Sequence, residues 1–140
     1  MRIPLIAGNW KMFKTVSEAH ELVNGLIESL NGLKAVEVVV CPSFTALSAV
    51  ARLLRGTTLR LGAQDLFWEK EGAFTGEVSP LMLKDLGCEY VIIGHSERRQ
   101  YFGETDERVN KKVKAALGYG IKPSICVGES IEQREAGGTE

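Results

Sequence analysis

The chain has 140 residues, with 17 Lys and Arg against 18 Asp and Glu, a net charge of −1, and 44% hydrophobic residues. That balance leaves no basic footprint for nucleic acid or an anionic lipid surface, and no apolar run is long enough to span a bilayer. The apolar start is broken by Asn9 and Lys11 and fits no signal or transit peptide, while three scattered cysteines without a CxxC fit a reducing, cytoplasmic compartment better than a disulfide framework or a zinc knuckle.

In chain order, residues 3–8 form the first nearly continuous apolar run, as expected of a strand buried on both faces of a parallel sheet. Thr15 and Glu18 then make a capping-box pattern, followed by Val16, Ala19, Leu22, Val23, Leu26, Ile27 and Leu30 at helical spacing, with Gly32 as the stop. Residues 36–41 read as the second strand. A helix carrying Ala46, Leu47, Val50, Ala51, Leu53 and Leu54 follows and ends at Gly56. Residues 59–64 are the third strand. After it, residues 66–78 show no clear element but carry Leu66, Phe67, Trp68 and Phe74. Thirteen such residues form either a protrusion that needs a partner or a loop folded back on its own domain. Ser79 as N-cap and Pro80 at the first helical position open a short helix that stops at Gly87. Residues 90–94 are the fourth strand. Thr105 caps a helix whose Val109, Val113, Ala116 and Leu117 share one face, while the stretch from Lys111 to Lys114 reads as a solvated face. Residues 121–127 are the fifth strand, with Cys126 read as a buried small apolar group.

Strand starts at 3, 36, 59, 90 and 121 are separated by 33, 23, 31 and 31 residues, so a repeating βα unit is the simplest organisation. An eightfold barrel of roughly 250 residues has about 31 per unit, which favours that form over a doubly wound sheet. On this reading residues 1–140 are the N-terminal part of a single barrel domain with no second domain. The fifth strand is reached, and no fifth barrel helix is expected after it.

In parallel βα architectures the C-terminal strand ends share one rim, where chemistry sits. Those ends carry Asn9 and Lys11, then Gln64 and Asp65, then His95, Ser96 and Glu97, and finally Glu129. Taken singly, each is explained by the wetness of loops; together they converge. Gly8, Gly62, Gly94 and Gly128 at the same points serve either close backbone approach or turn geometry. A new helical turn over residues 96–99 could start beside His95, and a helix N-terminus there opposes protonation, leaving a neutral imidazole to donate a hydrogen bond or shuttle a proton. Lys11 is either an ordinary surface lysine or a fixed cation for an anionic substrate. His20 lies on the first helix and His95 has no second histidine near it, so a metal centre is not expected. Neither GxGxxG nor GxxxxGK[ST] occurs, which leaves nucleotide cofactors without support.

The blocks Ala7-Gly8-Asn9-Trp10-Lys11-Met12, Cys41-Pro42, Gly62-Ala63-Gln64-Asp65, Gly72-Ala73-Phe74-Thr75-Gly76-Glu77, Ile93-Gly94-His95-Ser96-Glu97-Arg98-Arg99 and Cys126-Val127-Gly128-Glu129 resemble, in order and spacing, the triosephosphate isomerase family over the whole chain. The resemblance implies a (β/α)8 TIM barrel, here truncated after the fifth strand, that interconverts dihydroxyacetone phosphate and glyceraldehyde 3-phosphate without a cofactor. It implies catalytic roles for His95, as the neutral electrophile, and Lys11, as positive charge near the phosphate and the developing oxyanion. Asn9 would hold a substrate oxygen, and Glu97 would support Lys11 and His95. Phe74, Thr75 and Gly76 match the loop tip that inserts into a second subunit, so a homodimer through residues 66–78 is implied.

The family's base glutamate, its lid and its C-terminal phosphate loops match nothing in residues 1–140, so this chain alone is expected to be inactive. A separate chain supplying the rest of the barrel could dock on the exposed edge strands. The alternative is a non-catalytic partial-barrel module for folding or assembly.

Overall fold

Parallel strands running in one direction bring all their C-terminal ends to a common rim. The structure is a computed structural model and describes residues 2–137. Its elements are β1 (Leu5–Asn9), α1 (Val16–Leu30), β2 (Glu37–Cys41), α2 (Phe44–Leu54), β3 (Arg60–Ala63), α3 (Pro80–Asp85), β4 (Tyr90–Ile93), α4 (Ser96–Tyr101), α5 (Asp106–Gly118), β5 (Lys122–Ile125) and α6 (Ile131–Glu135). The five strands are all parallel, in the order β1-β2-β3-β4-β5, and curl into a half-barrel.

The helix starts follow the expected signals. Thr15 and Glu18 form a reciprocal capping box, with the Thr15 N–H donating to Glu18 Oε1 at 3.0 Å. Ser79 and Thr105 accept from Met82 N–H and Arg108 N–H. One element departs from expectation. The segment after β5 forms the short α6, where Gln133 N–H donates to Ser130 Oγ at 3.1 Å and Ser130 N–H donates to Gln133 Oε1 at 2.9 Å. Its capping signature is present in the sequence, but five residues are too few to show a helical period.

Two apolar clusters sit on opposite faces of the sheet. The large one lies under the helices and includes Val23, Leu47, Val50, Leu61, Leu83, Val91, Ile93 and Ile121. The small one lines the concave face, with Val39, Cys41, Tyr90 and Ile92 and the partly buried Cys126 against them. Gly62 makes that inner packing possible, because a Cβ there would fall 2.7 Å from Cys41 Sγ and 3.0 Å from Val39 Cγ1. Burial pushes the Cys41 and Cys88 thiols up to about 12. Cys126 is only half-buried, contrary to expectation, because it lies at the mouth of the concave face beyond the end of β5.

A second correction concerns α5. Lys112 is not part of a solvated face: it is 4% exposed, with Nζ 2.8 Å from Asp65 Oδ1 and 2.8 and 3.1 Å from Glu104 Oε1 and Oε2. Arg98 closes the network, its Nε lying 2.8 Å from Glu104 Oε2 and 3.1 Å from Asp65 Oδ2. Burial raises the Glu104 carboxyl, but the Lys112 and Arg98 hydrogen bonds outweigh it and hold the group below the usual carboxylate range. Two carboxylates and two cations thus neutralise one another.

Residues 66–78 fold back on the domain at their base and are exposed at their tip. Leu66 is buried, and the Phe67 N–H closes the loop base on Val78 O at 2.8 Å. Phe67 stacks on Trp68 and meets Phe74 at a centroid distance of 4.6 Å, while residues 69–77 stay exposed.

Among the described residues β1 pairs only with β2, and β5 only with β4. On β5 the Lys122 and Cys126 N–H groups donate to Glu89 O and Ile93 O, so the alternation of a strand turns positions 123 and 125 toward the open side. Position 123 is proline and has no N–H to present there. No described helix is long and apolar enough to cross a membrane.

Candidate functional site

β1 delivers Asn9 to the rim, where the chain turns sharply. Trp10 N–H still bonds back to Cys41 O at 3.1 Å, and Lys11 then adopts φ +55°, in the left-handed region. Asn9 Oδ1 accepts the Lys11 N–H at 2.9 Å, which leaves the Nδ2 amide protons of Asn9 for another partner. The Lys11 carbonyl accepts from Gln64 Nε2 at 2.8 Å, and the same nitrogen donates to Cys41 O at 2.9 Å.

The fourth strand end adds the imidazole. Gly94, with φ +75°, turns the chain out of β4; a Cβ there would press on Val109, Arg99 and the Cys126 carbonyl at 3.1–3.3 Å. His95 caps α4, its Nδ1 accepting the Glu97 N–H at 3.1 Å. Glu97 Oε2 is 3.6 Å from the same nitrogen, too far for a hydrogen bond, so the amide decides the tautomer. Nδ1 is an acceptor and Nε2 carries the donor proton.

Glu97 joins the two strand ends. Its Oε1 lies 2.8 Å from Lys11 Nζ, and the Lys11 hydrogen bond, aided by the Lys11 charge and only partly offset by desolvation, holds its carboxyl below the ordinary glutamate value. Asn9, Lys11, Glu97 and His95 therefore form one contact chain, although 86 residues separate Asn9 from His95 (95 − 9). A cleft of about 850 Å³ opens beside His95, between the start of α4 and the loop leading to α6, with Ser96, Arg99, Cys126 and Gly128 in its wall.

The other rim residues divide. Gln64 joins the group, whereas Asp65 turns outward into the Lys112 network. Glu129 stands across the cleft, with Oε1 3.8 Å from Arg134 Nε. Gly62 and Gly94 have close neighbours at the missing Cβ, while Gly8 meets nothing nearer than 3.9 Å and Gly128 nothing within 4 Å. Phe74, Thr75 and Gly76 belong to the exposed loop tip. Sequence reasoning missed the network of Arg98, Glu104 and Lys112 behind α4. The signal was there, since Lys112 falls three residues after Val109 and four before Ala116, inside the apolar stripe, where a lysine must find a partner.

The family model described as triosephosphate isomerase matches residues 4–140. The chain belongs to the triosephosphate isomerase family. It is 64% identical over 140 residues to triosephosphate isomerase of Chloroflexus aurantiacus, and 62% identical over 139 residues to that of Thermoanaerobacter pseudethanolicus. These alignments take in 100% and 99% of this chain and 56% of each relative, so the chain spans little more than half their length. The crystal structure of triosephosphate isomerase from Bartonella henselae superposes with a TM-score of 0.90 at 39% identity, covering 97% of this chain and 56% of that one.

Proposed function

We propose that residues 1–140 are the N-terminal part of a single TIM-barrel domain that isomerises triose phosphates, and that they supply its carbonyl-polarising and oxyanion-binding half. The observation that carries this reading is the contact chain Asn9–Lys11–Glu97–His95 at one rim, beside an open cleft. Dihydroxyacetone phosphate and glyceraldehyde 3-phosphate differ by one proton moved between adjacent carbons, through an enediolate whose negative charge needs donors already in place. His95 Nε2–H donates to the substrate carbonyl and its developing oxyanion. The Lys11 ammonium adds positive charge toward that oxygen and the phosphate, and the free Asn9 amide protons hold a substrate oxygen. Glu97 keeps Lys11 and His95 oriented by contacting both.

A base must take the proton, and no carboxylate among the described residues is placed for it. Glu97 is engaged by Lys11, and Glu129 lies at another strand end beside Arg134. A positioned base contributes roughly 10²- to 10⁴-fold, so residues 1–140 alone are essentially inactive. The chain works as a cytoplasmic protein, with a second copy held through the 66–78 tip at Phe74, Thr75 and Gly76.

The open edges of β1 and β5 favour a second reading, a non-catalytic module that assembles through them. Mixing purified 1–140 with a polypeptide covering the remaining part of a relative's barrel separates the two. Isomerase activity that appears on mixing and is abolished by Lys11→Ala or His95→Gln is the expected result. Tight association without turnover would establish the assembly reading instead, and substantial turnover by 1–140 alone would refute the missing-base account.

A further inference from the structure

We propose that Gln64 is a positioning residue for Lys11, its side-chain amide holding the lysine in the backbone conformation that carries Nζ to Glu97. The inference rests on the role given to Lys11 above, and no matched motif assigns it.

Lys11 is one of two non-glycine residues with positive φ among the described residues. For a side chain with a Cβ that conformation is strained and persists only where neighbours over-determine it. The restraints are visible on both sides of the residue. Asn9 Oδ1 accepts the Lys11 N–H, and Gln64 Nε2 donates to the Lys11 carbonyl. The second proton of Nε2 goes to Cys41 O, so both donors of that one nitrogen are used, and both partners are carbonyls. Two carbonyl partners fix the amide orientation, since its oxygen could not sit there.

Cys41 ends β2 and is buried, which makes it a firm anchor. Gln64 therefore ties the residue after the β1 turn to the end of β2 from a third strand end. Its position on the concave side follows from alternation, because Ala63 belongs to the outer core and Asp65 points outward. Without the amide, Lys11 can relax to negative φ, and its side chain then leaves the rim in another direction.

The Glu97 carboxyl reports Nζ directly, so its titration, followed by carbon-13 NMR on the full chain, reads the position of Lys11. Gln64→Met keeps the length and removes the donors; the expected result is an upward shift of the Glu97 midpoint while Glu18, in the distant capping box, keeps its own. Gln64→Asn, too short to span both carbonyls, should behave the same way. An unchanged Glu97 midpoint in a folded Gln64→Met chain overturns the proposal. Lys11→Met tests the underlying reading separately, since it must raise Glu97 whatever Gln64 does. Should the Gln64 variants fail to fold, hydrogen exchange of the Gln64 side-chain amide in the unaltered chain decides. Slow exchange of both protons supports the lock, and exchange as fast as in a solvated glutamine refutes it.

Discussion

Lys112 shows what a single charge does when the fold withdraws it from water. With its ammonium between Asp65 and Glu104, removal of the cation leaves two carboxylates facing each other with only Arg98 to offset them. Breaking a buried pair in this way costs about 3–5 kcal/mol, so Lys112→Met is expected to lower stability in urea titrations by that order. Glu104 supplies a pH test. A carboxylate held below its ordinary value contributes stability that is full above that value, near 4.5, and is lost as pH falls through the folded-state value. Glu104→Gln is therefore expected to be costly at pH 7 and progressively less so below about pH 4.5, as the native carboxyl takes up its proton. An equal cost at both ends would show that charge is not what the site uses. At this scale the sequence was only partly readable. The family blocks pointed to Asn9, Lys11, His95 and Glu97, four residues that the fold brings into one chain of contacts. Asp65 as a partner of Lys112 could not be foreseen, because an ion pair spanning 47 residues leaves no local pattern.

Elements were more legible than residues, because caps and periodicity are local physics. The capping box at Thr15, Pro80 after Ser79 and the threonine before α5 all lie where the pattern put them. Strand ends were overestimated. The run 121–127 yields ladder pairing only over Lys122–Ile125, since an apolar sequence does not reveal where hydrogen bonding stops. The helix α6 was missed for the opposite reason, having a cap but no period. Thr15→Ala removes the acceptor for Glu18 N–H and is expected to cost about 0.5–2 kcal/mol, while Thr15→Ser should retain most of it. Thermal denaturation of the two variants checks this, and equal melting temperatures would mean that the box contributes nothing.

For the molecule as a whole, the open sheet sides are the dominant fact. Leu5, Ile6, Ile125 and Val127 are all exposed large apolar residues near the unpaired strands, in addition to the free backbone groups. Residues 1–140 are therefore expected to self-associate as concentration rises, which sedimentation velocity measures. A strictly monomeric species with a sharp cooperative melt would contradict this. The half-barrel itself was legible from strand spacing, because a repeating unit writes its length into the sequence. Pro123 gives the two open sides unequal character. Any strand that zips alongside β5 finds a silent rung there, its facing carbonyl left to water or a side chain. Whatever the alignment, one acceptor of such a neighbour goes without an N–H partner at that rung, so pairing along β5 is weaker there than along an unbroken strand.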